Sequence, residues 1–219
     1  MRSITVSSFA LMVLVAGLSA EPEGSRDAHM MLSVSEPGPR GIARQSEFSK
    51  QAKPGAGKEL RLWIESGCGC RAVVAAFNHD GRMAYDGPPS EIEVKEHSNN
   101  QVPAAGGRKW TWDGHENLAE MDIVFIAGES PDTRDLSKLL EAMRDASVSE
   151  AVRKRQAADL RRWIDAHTQN TSSAADYSVK PTPVAIGGMV RGEDCDWCKS
   201  AQRVSIPANG FVIVRIHID

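Results

Sequence analysis

Residues 60–77 read LRLWIESGCGCRAVVAAF, and the two halves of this stretch follow different hydrophobic rules. In the first half Leu60, Leu62 and Ile64 alternate with Arg61, Trp63 and Glu65, the period of two that a strand shows when one face is buried. In the second half Ala72 to Phe77 form an unbroken apolar run, a second strand that follows at once. Ser66, Gly67, Cys68, Gly69 and Cys70 lie between them. Asn78, His79, Asp80 and Gly81 then supply turn chemistry, because an Asp-Gly pair tolerates the positive φ of a hairpin turn. The pattern predicts strands placed one after another.

Working outward toward the C-terminus, Gly87, Pro88 and Pro89 break any regular element, while Ile92 with Val94 and then Lys109 to Trp112 suggest short strands. Met121 to Ala127 is a clearer strand. It ends at Gly128, and Ser130, Pro131 and Asp132 prepare a helix start. Leu136, Leu139, Leu140 and Met143 recur at helical spacing, and Ser147 with Glu150 has the form of a capping box that opens a second helix. Val152, Leu160, Trp163 and Ile164 give that helix an apolar stripe. Its charges, Arg153, Lys154, Arg155, Asp159, Arg161 and Arg162, are assigned to a solvated outer face. Gln169 to Pro183 is a polar loop, Val184 to Val190 a further strand. Ser205 and Ile206 lead through Pro207 to Gly210 into Phe211 to Ile218, where Val212, Val214, Ile216 and Ile218 share one face. This predicts a terminal hairpin whose last strand lies well inside a sheet. The fold class expected is α+β: a mainly antiparallel β-sheet or sandwich with two consecutive helices inserted before the last strands.

Toward the N-terminus, Met1 and Arg2 precede an apolar run from Phe9 to Ala16 that closes on Gly17, Leu18, Ser19 and Ala20, the layout of a cleavable export signal. The run is too short for a hydrocarbon layer of roughly 30 Å, so no membrane span is expected after cleavage. Residues 1–20 are therefore expected to be a signal peptide and the protein to be exported, periplasmic or secreted. Residues 21–58, rich in Pro, Gly, Ser, Arg and Lys, are expected to be a flexible leader or tether. Residues 59–219 are expected to be a single α+β domain. Loss of Arg2 takes the 26 basic residues to 25 against 29 acidic ones. A balance this mild argues against a strong nucleic-acid binder.

The four cysteines form two close pairs, Cys68 with Cys70 and Cys195 with Cys198. In an oxidising compartment such thiols are expected to be disulfides, which would pin the tail strand to the first strands. A tetrahedral zinc site is the alternative, since two close pairs can supply all four ligands, although Cys68 and Cys70 are spaced more tightly than is usual. A thiol oxidoreductase using Cys195 and Cys198 is a further alternative, against which the acidic Glu193, Asp194 and Asp196 would raise the thiol pKa. His79, His97, His115, His167 and His217 are scattered without metal-binding spacing, and no Gly-x-Ser-x-Gly sequence occurs. Trp110 and Trp112 would share one strand face, and as exposed indoles they would be candidate binding aromatics, with a covered sheet face as the other reading.

The apolar strand Val73 to Phe77 is followed by Asn78, Asp80 and Gly81, then Pro88 and Pro89, then Val102 with Pro103 to Gly107. The Met121 to Ala127 strand, with Ser130 and Pro131 before the helix, completes a series that resembles the secreted bacterial family catalogued as domain of unknown function 4384. The resemblance covers Leu60 to about Met143 and implies an exported domain with no established catalytic residues; the paired cysteines and the second helix have no counterpart in it. The function expected is an exported non-enzymatic binding or accessory module, with an unknown protein or small-molecule partner and no cofactor unless the structural zinc is present.

Overall fold

A computed structural model of the chain describes residues 26–38, 44–47, 55, 57–85, 87–103, 110–111, 118–170 and 202–218. The elements follow in the order β1 (Asp27–Glu36), β2 (Arg44–Glu47), β3 (Glu59–Ser66), β4 (Cys70–Asn78), β5 (Ser90–Val94), β6 (Asn100–Val102), β7 (Trp110–Thr111), β8 (Leu118–Ile126), α1 (Pro131–Met143), α2 (Glu150–Asn170), β9 (Gln202–Ser205) and β10 (Phe211–His217). The class is α+β, with two antiparallel sheets. One sheet runs β2-β1-β3-β6, with β7 also on β3 and β9 also on β1; the other runs β10-β8-β4-β5.

The sheets pack face to face. Met30, Leu32 and Val34 of β1 and Leu60, Leu62 and Ile64 of β3 meet Val74 of β4, Met121, Ile123 and Phe125 of β8, and Val212 and Val214 of β10 in one buried cluster. The opposite face of the second sheet carries Val73, Phe77, Val124 and Ile213, which pack with Leu136 and Leu140 of α1 and Leu160 and Ile164 of α2. The molecule thus has three layers: sheet, sheet and helices. The Ala72 to Phe77 run is apolar throughout because both faces of β4 are covered, whereas β3 alternates because its outer face is only half covered.

Local chemistry sets the helix starts. Ser130 caps α1, accepting from the Thr133 amide at 3.1 Å while Thr133 Oγ1 accepts from the Ser130 amide at 2.7 Å, and Pro131 occupies the first turn, where its missing N–H costs nothing. Helix α2 is capped by Ser149 and not by the expected Ser147. The Val152 amide donates to Ser149 Oγ at 3.4 Å, whereas the Ser147 hydroxyl turns back to Asp145 at 2.6 Å. Side chains bind α1 to its neighbours: Arg71 of β4 donates to Ser137 Oγ at 2.8 Å, and Arg144 pairs with Glu91 of β5 at 2.7 Å. Among the described residues no helix is long and apolar enough to cross a membrane.

Four expectations are corrected. The first strand among the described residues, β1, lies inside the segment expected to be a tether: Ala28, Met30, Leu32 and Val34 are buried between the sheets, and β1 pairs with β2, β3 and β9. The terminal strands are not a hairpin, because β9 joins β1 in the first sheet and β10 joins β8 in the second, so Pro207 to Gly210 is a crossing between layers. Among the described residues β10 is the end strand of its sheet, although Val212 and Val214 on one face and Ile213 on the other are buried. On α2, Arg161 is half-buried against the second sheet, not solvated, and Val152 of the supposed apolar stripe is exposed. The strand expected at Val184 to Val190 lies outside the described residues.

Met30, Leu32 and Val34 each stabilise by about 1.5–3 kcal/mol on burial, together comparable with the about 5–15 kcal/mol net stability of a whole domain. A chain starting at Lys58, without β1 and β2, is therefore expected to lose cooperative urea unfolding, while one starting at Glu21 keeps it. A sharp transition in the shorter chain would show that β1 is dispensable.

Candidate functional site

Ser66, Cys68 and Cys70 lie two residues apart along the passage from β3 to β4, and this spacing turns all three toward the rim of the inter-sheet core. Ser66 is buried opposite Ala28 of β1, and Cys70 pairs with Val94 of β5. Both cysteines are half-buried and pack on the inter-sheet cluster. The Ser66 hydroxyl sits at this passage: its Oγ accepts from the Cys68 amide at 3.2 Å and lies 3.7 Å from Cys68 Sγ. Backbone bonds from neighbouring strands fix the loop. The Gly67 amide donates to the Asp27 carbonyl at 2.9 Å, and the His97 amide donates to the Ser66 carbonyl at 2.8 Å. Gly69 between the two thiols borders open space.

Burial, and after it the charge of Cys68 close by, push the Cys70 thiol up to about 11 against the opposing Ser66 hydrogen bond. At neutral pH Cys70 is therefore a thiol, a poor nucleophile by itself. Among the described residues Cys68 and Cys70 are not joined by a disulfide; both pack on the core rim beside Ser66. Cys195 and Cys198, the other half of the expected disulfide or zinc set, lie outside the described residues.

A second polar cluster occupies the face of the second sheet beneath α2. Asp122 of β8 is fully buried and receives a two-pronged contact from Arg215 of β10, Nε to Oδ1 at 2.7 Å and Nη2 to Oδ2 at 3.2 Å. Arg215 also reaches Asp165 of α2 at 2.6 Å and Glu120 at 3.0 Å. Arg161 completes the ring, pairing with Asp165 at 3.0 Å and with Glu120, its guanidinium 4.8 Å from the centre of the Phe77 ring. Burial raises the Asp122 pKa, with the Glu120 charge adding to it and Arg215 and Arg161 opposing. Burial would raise Asp165 as well, but its hydrogen bonds to Arg215 and Arg161 outweigh this and lower it. Each charge is committed to a partner on another element, so the cluster fastens α2 to the sheet.

Trp110 is not an exposed binding aromatic. It is buried on β7 and stacks on Tyr85 with ring centres 6.4 Å apart. Trp112, its expected companion, lies outside the described residues, as does His115. His79 is exposed in the turn after β4, and His217 points outward from β10, 3.5 Å from Glu120. His167 sits in the last turn of α2, stacked on Trp163 at 4.2 Å, with Nδ1–H donating to the Trp163 carbonyl at 2.7 Å. Sequence reasoning missed the roles of Ser66 and of the Asp122–Arg215 pair. For Ser66 the signal was present in its two-residue spacing from Cys68.

Two outcomes test this account of the ionic cluster. Arg215→Met leaves the Asp122 charge buried without its main partner and is expected to lower stability by about 3–5 kcal/mol, whereas Asp122→Leu with Arg215→Met recovers most of that loss in urea unfolding. Asp165 has a pKa below its ordinary 3.8, so its contribution is present above that value and is lost as pH falls through the lower folded-state value. The stability gap between the wild type and Asp165→Asn is therefore expected to be full at pH 6 and to close below pH 3.8; a gap independent of pH would refute the pairing. Compared with known proteins, the chain matches no family model, no curated protein and no solved structure.

Proposed function

We propose that the chain is an exported, non-enzymatic binding or accessory module whose ligand or partner engages the rim carrying Ser66, Cys68 and Cys70. The observation that carries this reading is the pair of half-buried thiols two residues apart, with the buried Ser66 hydroxyl at Cys68, on a loop anchored to β1 and to the residues after β5. Such a site is preorganised, since the backbone bonds at Gly67 and His97 hold it before any ligand arrives. With its pKa raised, the Cys70 thiol is not poised for nucleophilic attack at neutral pH. The carboxylates that acid–base chemistry would use, Glu120, Asp122 and Asp165, are instead paired with Arg161 and Arg215 in the helix–sheet joint. Export rests on the signal layout of residues 1–20 and supplies the compartment in which the rim would meet its partner.

Protein isolated from the exported fraction, alkylated with iodoacetamide before and after exhaustive dialysis against chelator and mild reductant, tests the reading. The expected result is a mature N-terminus near residue 20, with Cys68 and Cys70 alkylating together and several-fold faster once stripped. A cytoplasmic protein that keeps Met1 and Arg2, or equal rates before and after stripping, would overturn it.

A further inference from the structure

We propose that Cys68 and Cys70 form a two-sulfur clamp for a thiophilic closed-shell cation, Cu(I) in the first instance. The proposal rests on reading the thiol rim as the binding site and names its ligand.

Thiolate sulfur is a soft donor that selects Cu(I), whereas oxygen-rich sites select hard cations such as magnesium and calcium. The donor set among the described residues is two sulfurs, from Cys68 and Cys70 on the same core rim, with the Ser66 hydroxyl at Cys68. A closed structural zinc site takes four protein ligands and a catalytic one takes three. Two-sulfur ligation instead suits a d10 ion content with two ligands, and a single intervening glycine permits both sulfurs to close on one ion. The surroundings favour the same class. Ala28 and Val94 beside the cluster are buried and apolar, which penalises a cation that keeps its water. Gly69, with open space where a Cβ would stand, leaves an approach from solvent.

The step involves no redox change. Both thiols lose their S–H protons to solvent, each sulfur donates a lone pair to the metal, and Cu(I) enters and remains in the +1 state. One positive charge replaces two protons, so the bound pair carries one negative charge in place of the two that a bare dithiolate would concentrate on neighbouring sulfurs. Because protons leave on binding, affinity is expected to rise with pH. The Ser66 hydroxyl is placed to hydrogen-bond the sulfurs and hold them in position.

The test uses the full mature chain carrying Cys195→Ser and Cys198→Ser, titrated anaerobically with Cu(I) in competition with bicinchoninate. One equivalent is expected to bind, the affinity falling by about a hundredfold or more when either Cys68→Ser or Cys70→Ser is added, as loss of one arm of a chelate requires. In the unsubstituted cluster, one equivalent of Cu(I) is expected to protect both thiols from iodoacetamide together, a readout that needs no substitution at the site. Failure to bind with Cys195 and Cys198 replaced would overturn the proposal, as would unchanged affinity in Cys68→Ser. In the unsubstituted chain, preference for zinc held by all four cysteines over Cu(I) would also overturn it. If the exported protein arrives with both thiols shielded but the stripped chain does not take Cu(I), the metal assignment falls and the binding reading stands.

Discussion

The structure depends on the second sheet being covered on both faces. β4 and β8 carry apolar side chains at successive positions, so neither face of that sheet tolerates water, and two different partners are required. The first sheet covers one face with Met30, Leu32, Leu60, Leu62 and Ile64. The helices cover the other with Leu136, Leu140, Leu160 and Ile164. The one charged residue buried outright in β8, Asp122, faces the helix side, and the joint around it is the cost of ending an apolar layer in a charged helix. Arg215 and Arg161 resolve it by bridging sheet and helix, which also fixes where along the sheet α2 comes to rest.

Much of the fold was legible in the sequence because local periodicity reports local burial. The alternation of Leu60, Leu62 and Ile64, the unbroken run to Phe77, the Ser130–Pro131 helix start and the shared face of Val212 and Val214 each describe an environment that extends only a few residues. β1 was missed although Ala28, Met30, Leu32 and Val34 stand at alternate positions, as the apolar residues of β3 do. Its flanks are rich in proline and glycine, and Met31 interrupts the alternation that Ser33 and Ser35 continue; Ser33 is tolerated in its buried place because its hydroxyl accepts from the Trp63 indole N–H at 2.9 Å. The Pro207 to Gly210 turn was read as a hairpin because composition reports that a chain reverses, not which sheet receives it. Nothing local could distinguish the two.

The candidate site divides in the same way. Cys68 and Cys70 stood out by residue type, and their juxtaposition followed from spacing, but their oxidation state was inferred from the expected compartment and not from their surroundings. The structure supplies those surroundings: a buried hydroxyl, an apolar rim and an open side at Gly69. The ionic joint was illegible because its members are far apart in the chain, Arg215 lying 93 residues beyond Asp122 and 50 beyond Asp165. Trp110 illustrates the reverse error, a large aromatic whose chemistry suits a ligand but whose place on β7 makes it part of the core.

The pairing of Asp27 with Ser205, reinforced by the Ser205 hydroxyl donating to Asp27 Oδ1 at 2.7 Å, joins two segments separated by 178 residues. Because synthesis runs from the N-terminus, this edge of β1 waits for a partner made 178 residues later. Contacts of such separation form slowly, because loop closure must precede them. Until β9 is available the N-terminal half of β1 therefore presents an open strand edge, the kind of edge that other chains can pair with.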